Sequence, residues 1–357
     1  MFLCVAGARE LQVPGGMPAQ LPGTPIAPPA PPAPPPTIAW TVEIAAAPIV
    51  SPLITADRVI LAHLPGVVAA FERANGRALW RVELNPEQPL VSDGTMVFVA
   101  AAAGVHALRL SDGSSAWRAA TGAVTAPLTV KEGWLIAPIE GRLTAMRASD
   151  GTAVWTIDAP EQREAAAISG DVLFVPEAGG RLVARDLANG QMKWDRRLGG
   201  RPGEPFVLGD DVFIGATDKR FYCVDAGSGE IEWSSRVGAV VRGRAASDGE
   251  RVIFAALDNL VRALGRNDGA ERWHKGVPFR PMAGPIVAGG AVFVAGPGTE
   301  LRILRAANGD PAGTVTFPGR QALAPGAFET PAGAVLAAIT GNLEESWNLS
   351  LTVPLPR

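Results

Sequence analysis

Arg142-Leu143-Thr144-Ala145-Met146, a turn at Asp150-Gly151, and then Ala153-Val154-Trp155-Thr156-Ile157 read as one unit. An alternating strand is followed by a glycine turn and a strand centred on tryptophan. The unit recurs. Its tryptophan returns at Trp40, Trp80, Trp117, Trp155, Trp194, Trp233 and Trp273, in steps of 40, 37, 38, 39, 39 and 40 residues. A further step of 40 lands on Gly313, where the tryptophan is missing but its surroundings persist. A period near 40 built from short strands is the mark of β-propeller blades.

Seven turns stand in phase: Asn75-Gly76, Asp112-Gly113, Asp150-Gly151, Asn189-Gly190, Ser228-Gly229, Asp268-Gly269 and Asn308-Gly309. These pairs favour positive φ and predict tight hairpins. In the third repeat two earlier strands are expected at residues 124–128 and 133–137. The ends set the blade count. Residues 38–44 form a tryptophan strand with no preceding three. After the strand expected at 314–317, residues 323–328, 334–340 and 347–353 supply three strands with no fourth. The two ends are therefore expected to complete one blade, giving an all-β, eight-bladed propeller over residues 38–357. Closure removes exposed ring edges.

Composition agrees. The chain has 357 residues, 47% of them hydrophobic, with 41 glycines and 32 prolines, which suits many turns. A net charge of -3 with no basic run gives no electrostatic case for nucleic acid. No stretch approaches the ~20 apolar residues of a spanning helix. Cys4 and Cys223 are the only cysteines, too few for a disulfide framework or a cysteine metal site.

Residues 1–8 are apolar and end in Ala6-Gly7-Ala8, which fits an export cleavage site without its basic start. They are expected to be the remnant of a signal peptide that begins upstream of Met1. Cys4 follows Leu3, where a lipidated cysteine usually follows a small residue, so lipidation is the weaker reading. Residues 9–37 carry Pro25-Ile26-Ala27-Pro28-Pro29-Ala30-Pro31-Pro32-Ala33-Pro34-Pro35-Pro36. Proline lacks the ladder donor, so the expectation is an extended linker tethering the folded body.

A finer pattern runs through the repeats: a small residue, six positions to glycine, four more to tryptophan. It reads Ala70-Gly76-Trp80, Ala107-Gly113-Trp117, Ala145-Gly151-Trp155, Ala184-Gly190-Trp194, Cys223-Gly229-Trp233 and Ala263-Gly269-Trp273. The seventh repeat departs from it as Ile303-Gly309-Gly313. The pattern resembles the tryptophan-docking motif of the pyrroloquinoline-quinone (PQQ) repeat propellers. That resemblance implies a structural girdle in which each indole, Trp40 included, packs on the glycine peptide of a neighbouring blade.

The resemblance covers two branches. Quinoprotein dehydrogenases hold PQQ with calcium beside a catalytic aspartate. Their chains are longer and often carry an adjacent cysteine pair, which is missing here. The BamB branch comprises eight-bladed periplasmic lipoproteins of the outer-membrane β-barrel assembly machinery. Length, blade count and tether resemble this second branch. So does the stretch from Gly180-Arg181-Leu182-Val183 to Gly190-Gln191-Met192-Lys193-Trp194. It implies a non-catalytic, monomeric scaffold in the periplasm or cell envelope, with the outer-membrane insertase as partner and no cofactor. The alternatives are a PQQ-binding oxidoreductase and a propeller serving an unrelated partner. The branch meets the insertase through a Leu-x-Leu-Arg stretch and an aspartate pair. The comparable stretches here, Arg163-Glu164-Ala165-Ala166-Ala167-Ile168 and Val240-Val241-Arg242-Gly243-Arg244, keep neither.

Polar residues preceding the innermost strands are expected at the channel mouth: Gln88, Thr125, Glu164, Glu204, Arg244, Arg280 and Gln321. Glu164, Glu204, Arg244 and Arg280 could bind a peptide or small anion there; ordinary solvation of the rim is the plainer alternative. His63, His106 and His274 fall at non-equivalent positions of three repeats, which favours structural or surface roles over a metal site. Glu344-Glu345 and Asp210-Asp211 sit in turn-like contexts. No catalytic motif appears, so no catalytic residue is nominated.

Overall fold

A computed structural model describes residues 37–102, 104–331, 333–341 and 346–353. The expected signal remnant, Cys4, the proline-rich run and Glu344-Glu345 lie outside them. The described residues form eight antiparallel sheets. Seven are built from four consecutive strands. The first, blade 1, runs Pro48–Ile54, Arg58–His63, Val67–Glu72 and Ala78–Glu83. Blades 2 to 7 follow in chain order, ending with the strand Pro311–Thr316. Blade 8 joins the two ends of the chain. Its inner strands Arg320–Gln321 and Gly326–Thr330 pair with Gly333–Gly341, which pairs with Trp347–Thr352. The N-terminal strand Ile38–Ile44 then adds antiparallel to Trp347–Thr352 as the outermost strand.

The second and third strands of the blades read as nearly continuous apolar runs because both their faces are covered. Successive side chains of a strand point to opposite faces. In Arg251–Ala256, Val252 and Phe254 pack toward blade 5, while Ile253 and Ala255 pack toward blade 7. The buried residues accordingly divide into eight clusters, each spanning two adjacent blades. The cluster at the chain ends unites Ile54, Val59 and Leu61 of blade 1 with Val335, Ile339, Leu349 and Leu351 of blade 8.

Tryptophan docking ties neighbouring blades together. Each indole N–H donates to a backbone carbonyl of the next blade: Trp40 to Arg73, Trp80 to Leu110, Trp117 to Ala148, Trp155 to Leu187, Trp194 to Ala226, Trp233 to Arg266 and Trp273 to Ala306, all at 2.8–3.0 Å. Each acceptor lies three residues before the turn glycine, and the indole covers that glycine. A methyl group on Gly76, Gly113, Gly151, Gly190, Gly229, Gly269 or Gly309 would sit within 2.9 Å of the ring. The small residue of the motif is the cross-strand partner of the tryptophan, as in Ala145 opposite Trp155, and a bulge follows it.

The turns differ in detail from the tight hairpins expected, since positive φ falls on one residue of each pair. In all seven the glycine N–H closes onto the carbonyl four residues back, at 2.8–2.9 Å. Only the glycine takes positive φ, between 63° and 76°. The preceding Asn, Asp or Ser is there for its side chain, whose oxygen accepts the N–H two residues on. Asp150 takes Thr152 at 2.8 Å, and Asn75, Asp112, Asn189, Ser228, Asp268 and Asn308 do the same. The inner strand of blade 3 also differs. It is Thr129–Lys131, with Val124 contributing one isolated bridge to Ile139. Pro127, which has no N–H to give the ladder, separates the two.

The missing eighth tryptophan has a topological cause. A tryptophan at 313 would dock on the turn between the third and fourth strands of blade 8. That turn does not exist, because the fourth strand comes from the other end of the chain; Val353 N–H to Thr37 O, at 2.9 Å, stands in its place. The motif's outer positions change together: Ile303 lies opposite Gly313, large facing small.

Two outcomes check this architecture. Gly190 and Gly170 both have positive φ, 75° and 54°, but only Gly190 lies under an indole. Gly190→Ala is expected to lose about 1–3 kcal/mol more than Gly170→Ala in urea unfolding, the range for overpacking; equal losses would contradict docking as a constraint. Deleting residues 38–44 uncovers Leu349 and Leu351 and is expected to lower the melting temperature by circular dichroism. An unchanged melt would rule out the shared blade.

Candidate functional site: the channel mouth

In these antiparallel blades the second-to-third hairpins and the connectors between blades emerge on one face, opposite the glycine turns. On that face, connectors from four consecutive blades converge on a cavity of about 330 Å³. Glu164 comes from blade 4, Arg201 and Glu204 from blade 5, Arg242 and Gly243 from blade 6, and Met282 from blade 7. A second cavity of about 530 Å³ shares Glu204 and Gly243 and adds Phe206, Arg244 and Glu329.

A strand irregularity brings the arginines there. The inner strand Val241–Ser247 loses register with Arg251–Ala256 between Arg242 and Ala246. Gly243 takes φ 65°, and a side chain on it would meet the main chain at Gly284. Glycine inside a strand pattern marks such a bulge. It leaves Arg242 and Arg244 exposed. Arg242 Nε donates to Met282 O at 3.1 Å. The Arg244 guanidinium lies over the Phe206 ring at 5.1 Å. Phe206 contacts Phe213, which contacts Trp233, so the girdle buttresses the mouth.

Glu164 and Glu204 are half-buried and form no ion pair within 4 Å among the described residues. Burial pushes both carboxyls up from the ordinary range. For Glu164, Arg242 and Arg201 oppose the rise. For Glu204, Arg244 opposes it and the nearby Glu164 adds to it. Two desolvated carboxylates surrounded by guanidinium groups can accept donors from an incoming chain, and the guanidinium groups can bind its carbonyls or carboxylates.

The other expected mouth residues do not join this cluster. Gln88 Nε2 donates to Val124 O of the next blade at 3.3 Å. Thr125 is exposed in blade 3 and bonds Pro138 O. Arg280 is exposed and lines neither cavity. Gln321 is buried and bonds Glu300 O at 3.2 Å. Sequence reasoning missed Arg201, Arg242 and Phe206. The available signal for Arg242 was the glycine between two arginines in an inner strand.

The histidines stand apart. His63 Nδ1 meets Leu64 O at 2.7 Å, and His274 Nδ1 meets Glu271 Oε1 at 2.7 Å. His106 is half-buried, and burial pushes its pKa down. Among the described residues, one group of donor atoms could hold a metal: Asp211, Cys223 and Glu232. Its members already satisfy one another and their neighbours. Arg266 Nε sits on Asp211 at 2.9 Å, the Cys223 thiol donates to Glu232, and burial pushes that thiol pKa well up.

Among the described residues, no helix is long and apolar enough to cross a membrane. No curated protein sequence matches the chain. Solved structures do. BamB from Moraxella catarrhalis is 18% identical, covering 87% of this chain and 98% of its own, with a TM-score of 0.68. The computationally designed Ika8 protein is 12% identical over 88% of this chain and 99% of its own, at 0.75. The quinohemoprotein alcohol dehydrogenase ADHIIG from Pseudomonas putida HK5 is 12% identical over 90% of this chain and 78% of its own, at 0.70. At these identities the likeness establishes the fold. The family model described as outer membrane protein assembly factor BamB matches residues 64–205 and 194–323. With its repeats, docked indoles and eight blades, the chain belongs to the PQQ-like repeat propellers of the BamB family.

Proposed function

We propose that this chain is a non-catalytic, exported scaffold that assists the assembly of β-barrel proteins in the outer membrane through protein–protein contacts. It works in the periplasm or cell envelope, with the proline-rich segment as tether. The observation that carries this reading is the channel mouth. Four blades contribute arginines, two half-buried carboxylates and main-chain groups to one open, polar surface, which suits the backbone and mixed charges of a polypeptide. The family match to an assembly factor supports the same reading.

The alternative, a quinoprotein oxidoreductase, is kept alive by the dehydrogenase among the structural neighbours. The donor set of the mouth does not fit a calcium-bound quinone. Neither cavity is lined by an aspartate or asparagine, and the carboxylates of Glu164 and Glu204 face arginines that would compete with a divalent cation. No reaction step is derived through such a group.

A C-terminally tagged chain, crosslinked mildly in the envelope and purified, is expected to bring down the outer-membrane insertase. Glu164→Ala combined with Arg244→Ala should reduce recovery about tenfold, the loss of one interface hot spot. Recovery of no insertase from folded, exported protein would reject the assembly reading, and tight uptake of PQQ with calcium would favour the oxidoreductase.

The raised carboxyls give a second test. Above the ordinary value of 4.5 the unfolded chain releases protons that folded Glu164 and Glu204 still hold. Their burial therefore lowers stability as pH rises through that window and keeps it lower above it. Glu204→Gln removes the ionisation. It is expected to stabilise the protein relative to the parent near pH 7, with the difference vanishing below about pH 4.5. A difference in denaturation midpoint that does not change with pH would show that burial does not act on this carboxyl.

A further inference from the structure

Cross-strand register produces an unusual charge arrangement on the outer rim of blades 4 and 5. In blade 4, Arg181 lies directly opposite Arg197; in blade 5, Arg220 lies directly opposite Arg236. The same position in blade 3 pairs Arg142 with Asp158, and in blade 1 it pairs Val67 with Glu83. Like charges directly opposed destabilise a sheet. One member of each pair is held by its own blade. Glu177 takes Arg181 at 2.9 and 2.7 Å, and Ser234 takes Arg220 at 3.0 Å. The side chains of Arg197 and Arg236 are exposed and make no ion pair or hydrogen bond among the described residues.

Both free arginines end an outermost strand, Met192–Arg197 or Ile231–Arg236, whose outer main-chain edge is unpaired. The same two strands begin with exposed apolar side chains, Met192 at 55% and Ile231 at 40%. No other described blade combines an exposed large apolar start with a free arginine at the end. The corresponding strand ends carry Glu83 in blade 1 and Asp158 in blade 3.

We propose that the outer rim of blades 4 and 5 docks an acidic, extended segment of a partner protein, added edge-on as a further strand. Main-chain hydrogen bonds to the open edge supply length-dependent affinity, and Met192 and Ile231 receive apolar side chains. Arg197 and Arg236 select carboxylates, which relieves the repulsion within each arginine pair. The chain as a whole is acidic, at -3, so this attraction is local to the rim. A flat anionic membrane would engage the arginines but leave the strand edges unused, which is why a polypeptide fits better. Arg197 and Arg236 line neither mouth cavity, and the test reads peptide binding rather than recovery of the insertase, so its failure is distinguishable from failure of the assembly reading.

The test uses the full chain and a fluorescein-labelled decapeptide alternating valine and glutamate. A valine–lysine decapeptide and phosphatidylglycerol vesicles serve as comparisons. The acidic peptide is expected to bind, more weakly as salt rises, and to slow hydrogen exchange in residues 192–197 and 231–236. Arg197→Glu with Arg236→Glu should weaken it about tenfold or more, as expected for two lost charge-assisted contacts, while the melting temperature holds or rises because each opposed arginine pair becomes an Arg–Glu pair. Should that variant misfold, Arg197→Gln with Arg236→Gln makes the same comparison. Equal binding of both peptides, unchanged affinity in the folded variant, protection elsewhere, or binding of vesicles without peptide would overturn the proposal.

Discussion

The structure depends on one contact repeated seven times: an indole laid on the glycine turn of the next blade, with its N–H on a carbonyl of that turn. A flat ring with one donor closes the gap between two sheets and satisfies a buried acceptor in the same move. The turn glycine must lack a side chain because the ring occupies that space. The turn holds its own shape through the Asn, Asp or Ser oxygen before the glycine, so it presents a preformed seat. A net contribution of about 1 kcal/mol for each hydrogen bond is modest. What the contact fixes is the angle between neighbouring sheets, and a ring closes only if every angle is right.

With the angles fixed, each blade is sandwiched between two others, and the alternation of side chains along a strand fills both interfaces. Hence the core is not one cluster but eight thin ones, each between two blades. The same geometry sends the connectors to one face. There, side chains from blades 4 to 7 meet although they are far apart in sequence: Glu164 and Met282 line one cavity. The family supplies the scaffold. On that scaffold the bulge at Gly243 presents Arg242 and Arg244 to the mouth.

Closure is where the repeat breaks its own rule. The blade that joins the chain ends has no turn between its last two strands, so its neighbour has no seat for a tryptophan. Gly313 and Ile303 record that in the sequence. The docking interaction thus accounts for its own single absence.

Repeat period, blade count, the shared blade and the docking motif were all legible in the sequence, because each rests on local spacing. Tryptophan, glycine and a small residue at fixed offsets carry their geometry within one hairpin. The turns were partly legible: the glycine of each pair takes the expected positive φ, whereas the Asn, Asp or Ser before it acts through its side-chain oxygen, which shows only once the backbone is placed. The mouth was half legible. Glu164, Glu204 and Arg244 were expected there, while Arg201 and Arg242 joined them and Arg280 did not. That sorting depends on how connectors from separate blades lean into the ring and on a register slip at Gly243. The arginine pairs at the rim need the register as well, since Arg181 and Arg197 become neighbours only once the two strands are aligned. Sequence alone determined what repeats, because local chemistry sets it. Only the tertiary structure decided what converges, because contacts between blades have no fixed spacing along the chain.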